Sequence, residues 1–338
     1  MKYILITGWT GYIGSHCVVE LQKSWYTPII IDNLSCSHVK TIEYIQAITW
    51  KEVIFYQWDI RDAVFLRDIF FRYTIDAVIH FAWLKAVWES CEKVWWYHDN
   101  NIWWSMQLFQ IMHDFGVKDI IFSSSATVYK NQDNNISGLK ETDLTGDTTN
   151  PYGTSKYVIE MLLRDYALHH NWRVINLRYF NPIWAHQSWL IWENPDTIPN
   201  NLLPYIMKVA SWELKMLQIF GADYDTCDGT WVRDYIDVGD LCIWHVKAFE
   251  FLRQQDIAMY EVFNLWVWRW LSVLEIHALC EEITWKNIPY KIVNRRLWDL
   301  ASVYSDPSKA ETMLWWKAKT DIRESIKHAW NFYNRSFL

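Results

Sequence analysis

The sequence predicts an α/β fold: a doubly wound parallel sheet followed by a smaller mixed α/β region. Three observations carry this. Short β-rich apolar runs alternate with stretches of helical spacing through the first half of the chain, the pattern of βαβ units. A glycine-spaced turn separates the first run from the first helical stretch, as at the ligand edge of an open parallel sheet. After Asn181 the alternation stops, and Pro182, Pro195, Pro199 and Pro204 break up a looser stretch.

Taken in order, strands are expected at Tyr3–Thr7, Pro28–Asp32, Val53–Tyr56, Ala77–Phe81, Asp119–Ser124 and Arg173–Arg178. Helical spacing lies between them at Ser15–Lys23, Ala63–Tyr73 and Met106–Phe115, and later at Asp240–Arg253 and Val273–Thr284. The layout divides the chain into a nucleotide-binding part, residues 1–180, and a smaller lid-like part, residues 181–338, with some interleaving.

The totals exclude several classes. With 338 residues the chain can bury a substantial core. A net charge of -7 and the lack of a Lys/Arg-rich run argue against a nucleic-acid partner. No run of about 18 apolar residues is present, so no membrane span is expected. The opening MKYILIT is too short for a secretory signal and leads straight into the glycine turn, so it reads as a first strand. Six cysteines without a C-x-x-C pair predict neither a disulfide framework nor a metal site, and they fit a cytoplasmic protein.

The turn reads ITGWTGYIGSH, with Gly8, Gly11 and Gly14 spaced by three. Glycine there lets backbone N–H groups approach a pyrophosphate at a helix N-terminus, where the dipole is positive. Asp32 closes the second strand, where a carboxylate accepts both hydroxyls of an adenosine ribose and repels a 2′-phosphate. Together they predict a Rossmann-type dinucleotide site that prefers NAD to NADP. On these residues alone, a chance glycine turn beside a solvated aspartate stays open.

NPYGTSK places Tyr152 and Lys156 on one helix face. A free phenol titrates near about 10 and is a poor base at neutral pH. A nearby ammonium and a positive nicotinamide are expected to lower it. Upstream, FSSSATVY puts Ser123, Ser124 and Ser125 at the end of an apolar strand, where ligand-facing residues emerge. A serine there can share a hydrogen bond with the tyrosine and a substrate hydroxyl.

With these features in this order, the chain resembles the extended short-chain dehydrogenase/reductase family, and within it the UDP-glucose 4-epimerases, over nearly its whole length. The stretches TGWTGYIGSH, IIDNLS, HFAWLKAVWES, FSSSATVY, PYGTSK, LRYFNP, IPNNLLPYI, VRDYIDVGDL and YSDPSKA carry the similarity. The resemblance implies Tyr152 as catalytic base, assisted by Ser125 and Lys156. It implies an NAD site formed by Gly8, Gly11, Tyr12, Ile13, Gly14, Asp32, Asn33, Leu34, Ser35, Cys36, Ser37, Asp59, Ile60, Phe81, Ala82, Lys85, Asn100, Ser125, Tyr152, Lys156 and Phe180. It sets a UDP-sugar against Ser125, Tyr152, Asn181, Asn200, Asn201, Leu202, Arg233, Arg296 and Asp299, the arginines suiting a diphosphate.

Related 4,6-dehydratases carry an Asp-Glu pair directly after the catalytic Ser or Thr, where this chain has Ala126 and Thr127. Without that acid pair, oxidation at sugar C4 can only be reversed. The implied reaction interconverts UDP-galactose and UDP-glucose through a transient 4-keto sugar, with NAD retained, in a homodimer without metal. Val303 stands where the family gates the sugar pocket, bulky side chains excluding an N-acetyl group. A UDP-N-acetylglucosamine 4-epimerase is therefore one alternative. A dinucleotide-binding module without catalysis is the other, and the presence of Tyr152 and Lys156 argues against it.

Two totals are abnormal: 10 glycines and 25 tryptophans, where glycine usually makes up about 7 % of a chain. Tryptophan stands at family-glycine positions: Trp9, Trp58, Trp83, Trp88, Trp184, Trp212, Trp231, Trp266, Trp268, Trp270, Trp298 and Trp315. Overpacking costs about 1–3 kcal/mol per site, so a dozen such insertions would exceed a total stability of about 5–15 kcal/mol. Exchanging about nineteen would return glycine to roughly 9 %, close to its ordinary share. A gene whose UGA codons the cell reads as glycine would produce this one exchange and no other. A scrambled or a decayed copy is the alternative.

Overall fold

A computed structural model describes residues 2–8, 12–35, 38–130, 138–179, 181–183, 185–193, 199, 201–267, 269–296 and 300–335. Its first half alternates as the apolar runs predict: β1 (Tyr3–Thr7), α1 (Tyr12–Lys23), β2 (Thr27–Asp32), α2 (Lys40–Thr49), β3 (Ile54–Gln57), α3 (Ala63–Arg72) and β4 (Ile75–His80). Next come α4 (Val87–Glu92), α5 (Val94–His98), α6 (Trp104–Asp114), β5 (Asp119–Ser123), α7 (Pro151–His170) and β6 (Arg173–Arg178). The second half holds β7 (Asn181–Ile183), α8 (Leu202–Ala210), β8 (Leu217–Phe220), β9 (Val232–Asp237), α9 (Val238–Leu252) and β10 (Met259–Asn264). It ends with β11 (Trp270–Ser272), α10 (Val273–Thr284), β12 (Tyr290–Val293), β13 (Ser302–Val303), α11 (Ser308–Met313) and α12 (Ile322–Arg335).

The main sheet runs β10-β6-β5-β4-β1-β2-β3 with every pairing parallel. Its strands are apolar on both faces because helices cover both. Ile4 and Ile6 share a buried cluster with Val18 and Leu21 of α1 and with Leu241 and Phe249 of α9. Leu5, one residue between them, turns to the opposite cluster, with Leu66 of α3, Leu108 of α6 and Leu163 of α7. The seventh strand, β10, comes from the second half of the chain and pairs with β6, and α9 returns to cover the first half. A second core, built on α8, α10 and α12, supports β9 and its partners β7, β11 and β13.

Several boundaries shift by one or two residues from the expected ones, and the start of α1 by three. α1 begins at Tyr12 rather than Ser15, so the helix already includes Gly14. β4 begins at Ile75 rather than Ala77 and ends at His80, since its first pairing with β1 carries an irregularity between Tyr3 and Ile4.

Left-handed backbone marks a cost in this fold. Nine described residues other than glycine adopt positive φ, and six of them are tryptophan, with φ between 51° and 66°. A side chain in that region costs roughly 1–2 kcal/mol per residue.

Inside the sheet edge, Arg178 at the end of β6 meets Glu160 of α7, Nε to Oε1 at 2.9 Å and Nη2 to Oε2 at 2.5 Å, with both groups buried. The Ser124 hydroxyl donates to the same carboxylate at 2.5 Å. Removing one member leaves an unmatched buried charge. Arg178→Ala is expected to cost about 3–5 kcal/mol, read as a lower denaturant midpoint. A loss below about 1 kcal/mol would show that the pair does not hold α7 to the sheet.

Candidate active site

The carboxyl ends of the central strands open into a cavity of about 1470 Å³, where an open parallel sheet binds its ligands. α7 starts at its wall: Asn150 accepts the Gly153 N–H at 2.9 Å, and Pro151 fills the first helical turn. Gly153 is required by packing, since a Cβ there would lie 2.9 Å from the Thr127 carbonyl oxygen. This close approach brings Tyr152 beside Ser125, at the end of β5. The Ser125 oxygen accepts from Thr127 N–H at 3.2 Å and from the Thr127 hydroxyl at 3.0 Å.

Burial pushes the Tyr152 phenol up to about 12, opposed by its hydrogen bond with Ser125. Lys156 is buried and donates to the Ser123 carbonyl. Its ammonium lies 3.8 Å from the Trp83 ring centroid and 5.8 Å from that of Tyr152. Burial also pulls this lysine well below its ordinary value, with Glu160 opposing. Lys156 by itself therefore does not supply the expected lowering of the phenol. With the ammonium held on Ser123 and Trp83, desolvation dominates, and the phenol titrates above its free value.

At the other end, Gly8 has φ +71°, and a Cβ there would sit 2.3 Å from the Ala82 Cα. The β1 turn therefore lies directly on the end of β4 and leaves a cradle only glycine permits. Asp32 ends β2 and accepts the Leu34 N–H at 2.7 Å. Next to it, Asn33 donates to Asp59 at 3.0 Å, and Arg61 pairs with the same carboxylate at 2.7 Å. Burial raises the Asp59 carboxyl, but Arg61 and Asn33 together hold it below its ordinary value. A glycine cradle followed by a strand-end carboxylate fits a dinucleotide of the NAD type.

The cavity wall includes Gly8, Tyr12, Ile13, Gly14, Asp32, Asn33, Ser35, Asp59, Ile60, Phe81, Ala82, Lys85 and Asn100 from the expected cofactor set. It also includes Ser125, Tyr152, Lys156, Asn181, Asn201, Leu202, Arg233 and Arg296. Leu34 is not in that wall: its backbone turns left-handed, φ 60°, and shapes the site through its N–H to Asp32. Gly11, Cys36, Ser37, Phe180, Asn200 and Asp299 lie outside the described residues. Arg233 stacks 4.9 Å over Trp231, and Arg296 stacks 4.7 Å over Phe220, so two cations face the far end of the cavity. Among the described residues no cluster of His, Cys, Asp and Glu is placed to hold a metal ion, and no helix is long and apolar enough to cross a membrane.

Some site residues escape sequence reasoning. Asn101 exchanges hydrogen bonds with the backbone N–H and carbonyl of Leu84 at 3.0 and 3.1 Å and reaches Ser155 at 3.2 Å. It thereby fixes the loop after β4 against α7. Glu193 accepts from Lys85 at 2.9 Å and from Asn201 at 2.7 Å. Nothing in the local sequence signals either, because each acts across a long separation.

Comparison with known proteins agrees with this geometry. The model of the NAD dependent epimerase/dehydratase family matches residues 4–265. A UDP-glucose 4-epimerase of Pasteurella multocida (strain Pm70) is 46% identical over 334 residues, covering 98% of each chain. A crystal structure of UDP-glucose-4-epimerase from Stenotrophomonas maltophila, with bound NAD and formylated UDP-arabinopyranose, superposes with TM-score 0.95 at 42% identity, covering 100% of this chain and 99% of that one. The enzyme from Bifidobacterium longum in complex with NAD+ and UDP gives 0.94 at 43%, covering 99% and 98%. The chain belongs to the NAD dependent epimerase/dehydratase family.

Proposed function

We propose that this chain interconverts UDP-galactose and UDP-glucose by oxidising and re-reducing sugar C4. One observation carries the reading: Tyr152 and Ser125 stand in the same cavity as the Gly8 cradle and the two arginines, with no carboxylate in the two places after Ser125. The chemistry supplied by bound NAD is reversible two-electron oxidation at C4. Tyr152 takes the proton of the C4 hydroxyl and later returns it. Ser125, fixed by Thr127, orients that hydroxyl. Ala126 and Thr127 offer no acid or base for eliminating water, so the ketone can only be reduced again. Arg233 and Arg296 hold the diphosphate while the sugar turns over between its two faces, with Asn181, Asn201 and Leu202 around it. A phenol pushed up to about 12 by burial becomes a competent base only beside a positive charge.

In this reading residues 1–180 hold NAD, and residues 181–338 hold the UDP-sugar, with α9 and β10 returning to the first part. The protein works in the cytoplasm as a homodimer. Exposed apolar side chains on α6 and α7, including Met106, Met161 and Leu168, supply a face for a second copy.

Three outcomes test the reading. Tyr152→Phe is expected to lower turnover of UDP-galactose by about 10²–10⁴-fold while NAD stays bound. A variant retaining more than about a tenth of the rate would remove Tyr152 from the role of base. Denatured protein is expected to release NAD; recovery of mainly NADP would contradict the role of Asp32. Val303, in the cavity wall with Leu139, pairs with Arg233 and shares a buried cluster with Leu139 and Val128. Its intermediate size predicts some turnover of UDP-N-acetylglucosamine, suppressed in Val303→Tyr. An enzyme active on UDP-galactose with no acetylated-sugar turnover would contradict this.

A further inference from the structure

Among the described residues six of nine glycines adopt positive φ, and so do six tryptophans: Trp25, Trp50, Trp189, Trp212, Trp285 and Trp315. Five of these tryptophans stand where a helix ends. Trp50 and Trp285 cap α2 and α10, donating their N–H to Gln46 at 2.9 Å and Glu281 at 3.0 Å. Trp25, Trp212 and Trp315 follow two residues after α1, α8 and α11, and the first two donate to Gln22 and Val209. Trp189 closes a turn on His186 at 2.7 Å. The left-handed residue that stops a helix is the position that favours glycine most strongly, because no Cβ meets the following carbonyl.

Five of these indole rings gain little from packing. Trp50, Trp285 and Trp315 are 91%, 91% and 89% exposed, Trp25 84% and Trp212 73%. Rings left in water contribute no core packing to offset the backbone conformation. Trp25 makes a contact with a cation, Lys51 at 4.0 Å, which an exposed site rewards weakly. In the cavity the conflict takes another form. The buried Trp83 indole N–H has no hydrogen-bond partner, although its ring covers the ammonium of Lys156. Buried indole N–H groups ordinarily find one.

We infer that glycine occupies these seven positions in the protein the cell makes, the UGA codons of its gene being read as glycine. Trp25, Trp50, Trp189 and Trp285 are assigned by backbone conformation alone. At Trp83 the exchange uncovers Lys156 and opens the cavity wall between Phe81 and Lys85, where a dinucleotide needs room.

Peptide mass spectrometry of protein isolated from its own cells tests this directly. Peptides covering positions 25, 50, 83, 189, 212, 285 and 315 are expected to be lighter by about 129 Da per site than the tryptophan forms. Tryptophan masses at these positions would overturn the inference. Two genes in a host with the ordinary code give a second readout. The chain carrying Trp25→Gly, Trp50→Gly, Trp189→Gly, Trp212→Gly, Trp285→Gly and Trp315→Gly is expected to melt several degrees higher than the tryptophan chain, or to be the only soluble one. An equal or lower melting temperature, or solubility of the tryptophan chain alone, would overturn it equally.

Discussion

Glu160 lies four residues beyond Lys156 on α7, and its carboxylate takes Arg178 from β6 and Ser124 from the end of β5 at once. Two charges removed from water must be matched with close geometry, or the fold loses several kcal/mol. One buried carboxylate therefore sets the roll of α7, the edge of β6 and the turn that carries Ser125. Arg178 also lies 4.6 Å under the Tyr129 ring, whose hydroxyl donates to Asn264 on β10 at 2.7 Å. The strand that returns from the second half of the chain is thus joined to the same network. Tyr152, Lys156 and Ser125 meet because this network leaves α7 one way to lie on the sheet.

Desolvation then determines how the site behaves. It raises the Tyr152 phenol and lowers the Lys156 ammonium, so burial biases each group toward its neutral form. The charged ends lie elsewhere, at Asp32 and Asp59 on one side and at Arg233 and Arg296 on the other. Ribose hydroxyls at the acidic end and a diphosphate at the arginine end would match that layout. In the proposed reaction, charge brought by the ligands, rather than by Lys156 alone, makes the phenol a base.

Much of this was readable in the residues themselves. Alternating apolar runs locate the strands of the first half to within two residues, and Gly8 and Asp32 both line the cavity. Local pattern could not supply β10, because its place beside β6 depends on a pairing across about eighty residues of chain. Asn101, Glu193 and the left-handed turn at Leu34 were missed for a related reason. Each is defined by a partner or a backbone angle, and neither has a sequence signature. The effect of burial on the Tyr152 phenol has no sequence signature either, since it depends on how α7 lies over the sheet. Tryptophan at helix ends was anomalous in composition first, and its backbone angles then supplied a physical reason.

The central claim is that the cavity reverses its own oxidation at C4, so NAD is regenerated at every turn. The most direct measurement is to incubate purified, folded protein with UDP-galactose, adding no NAD, and to follow UDP-glucose. The account predicts conversion to an equilibrium mixture over many turnovers, with no net reduction of the dinucleotide. Failure of folded, dinucleotide-containing protein to form UDP-glucose, or formation that stops after one turnover with reduced NAD left behind, would contradict it.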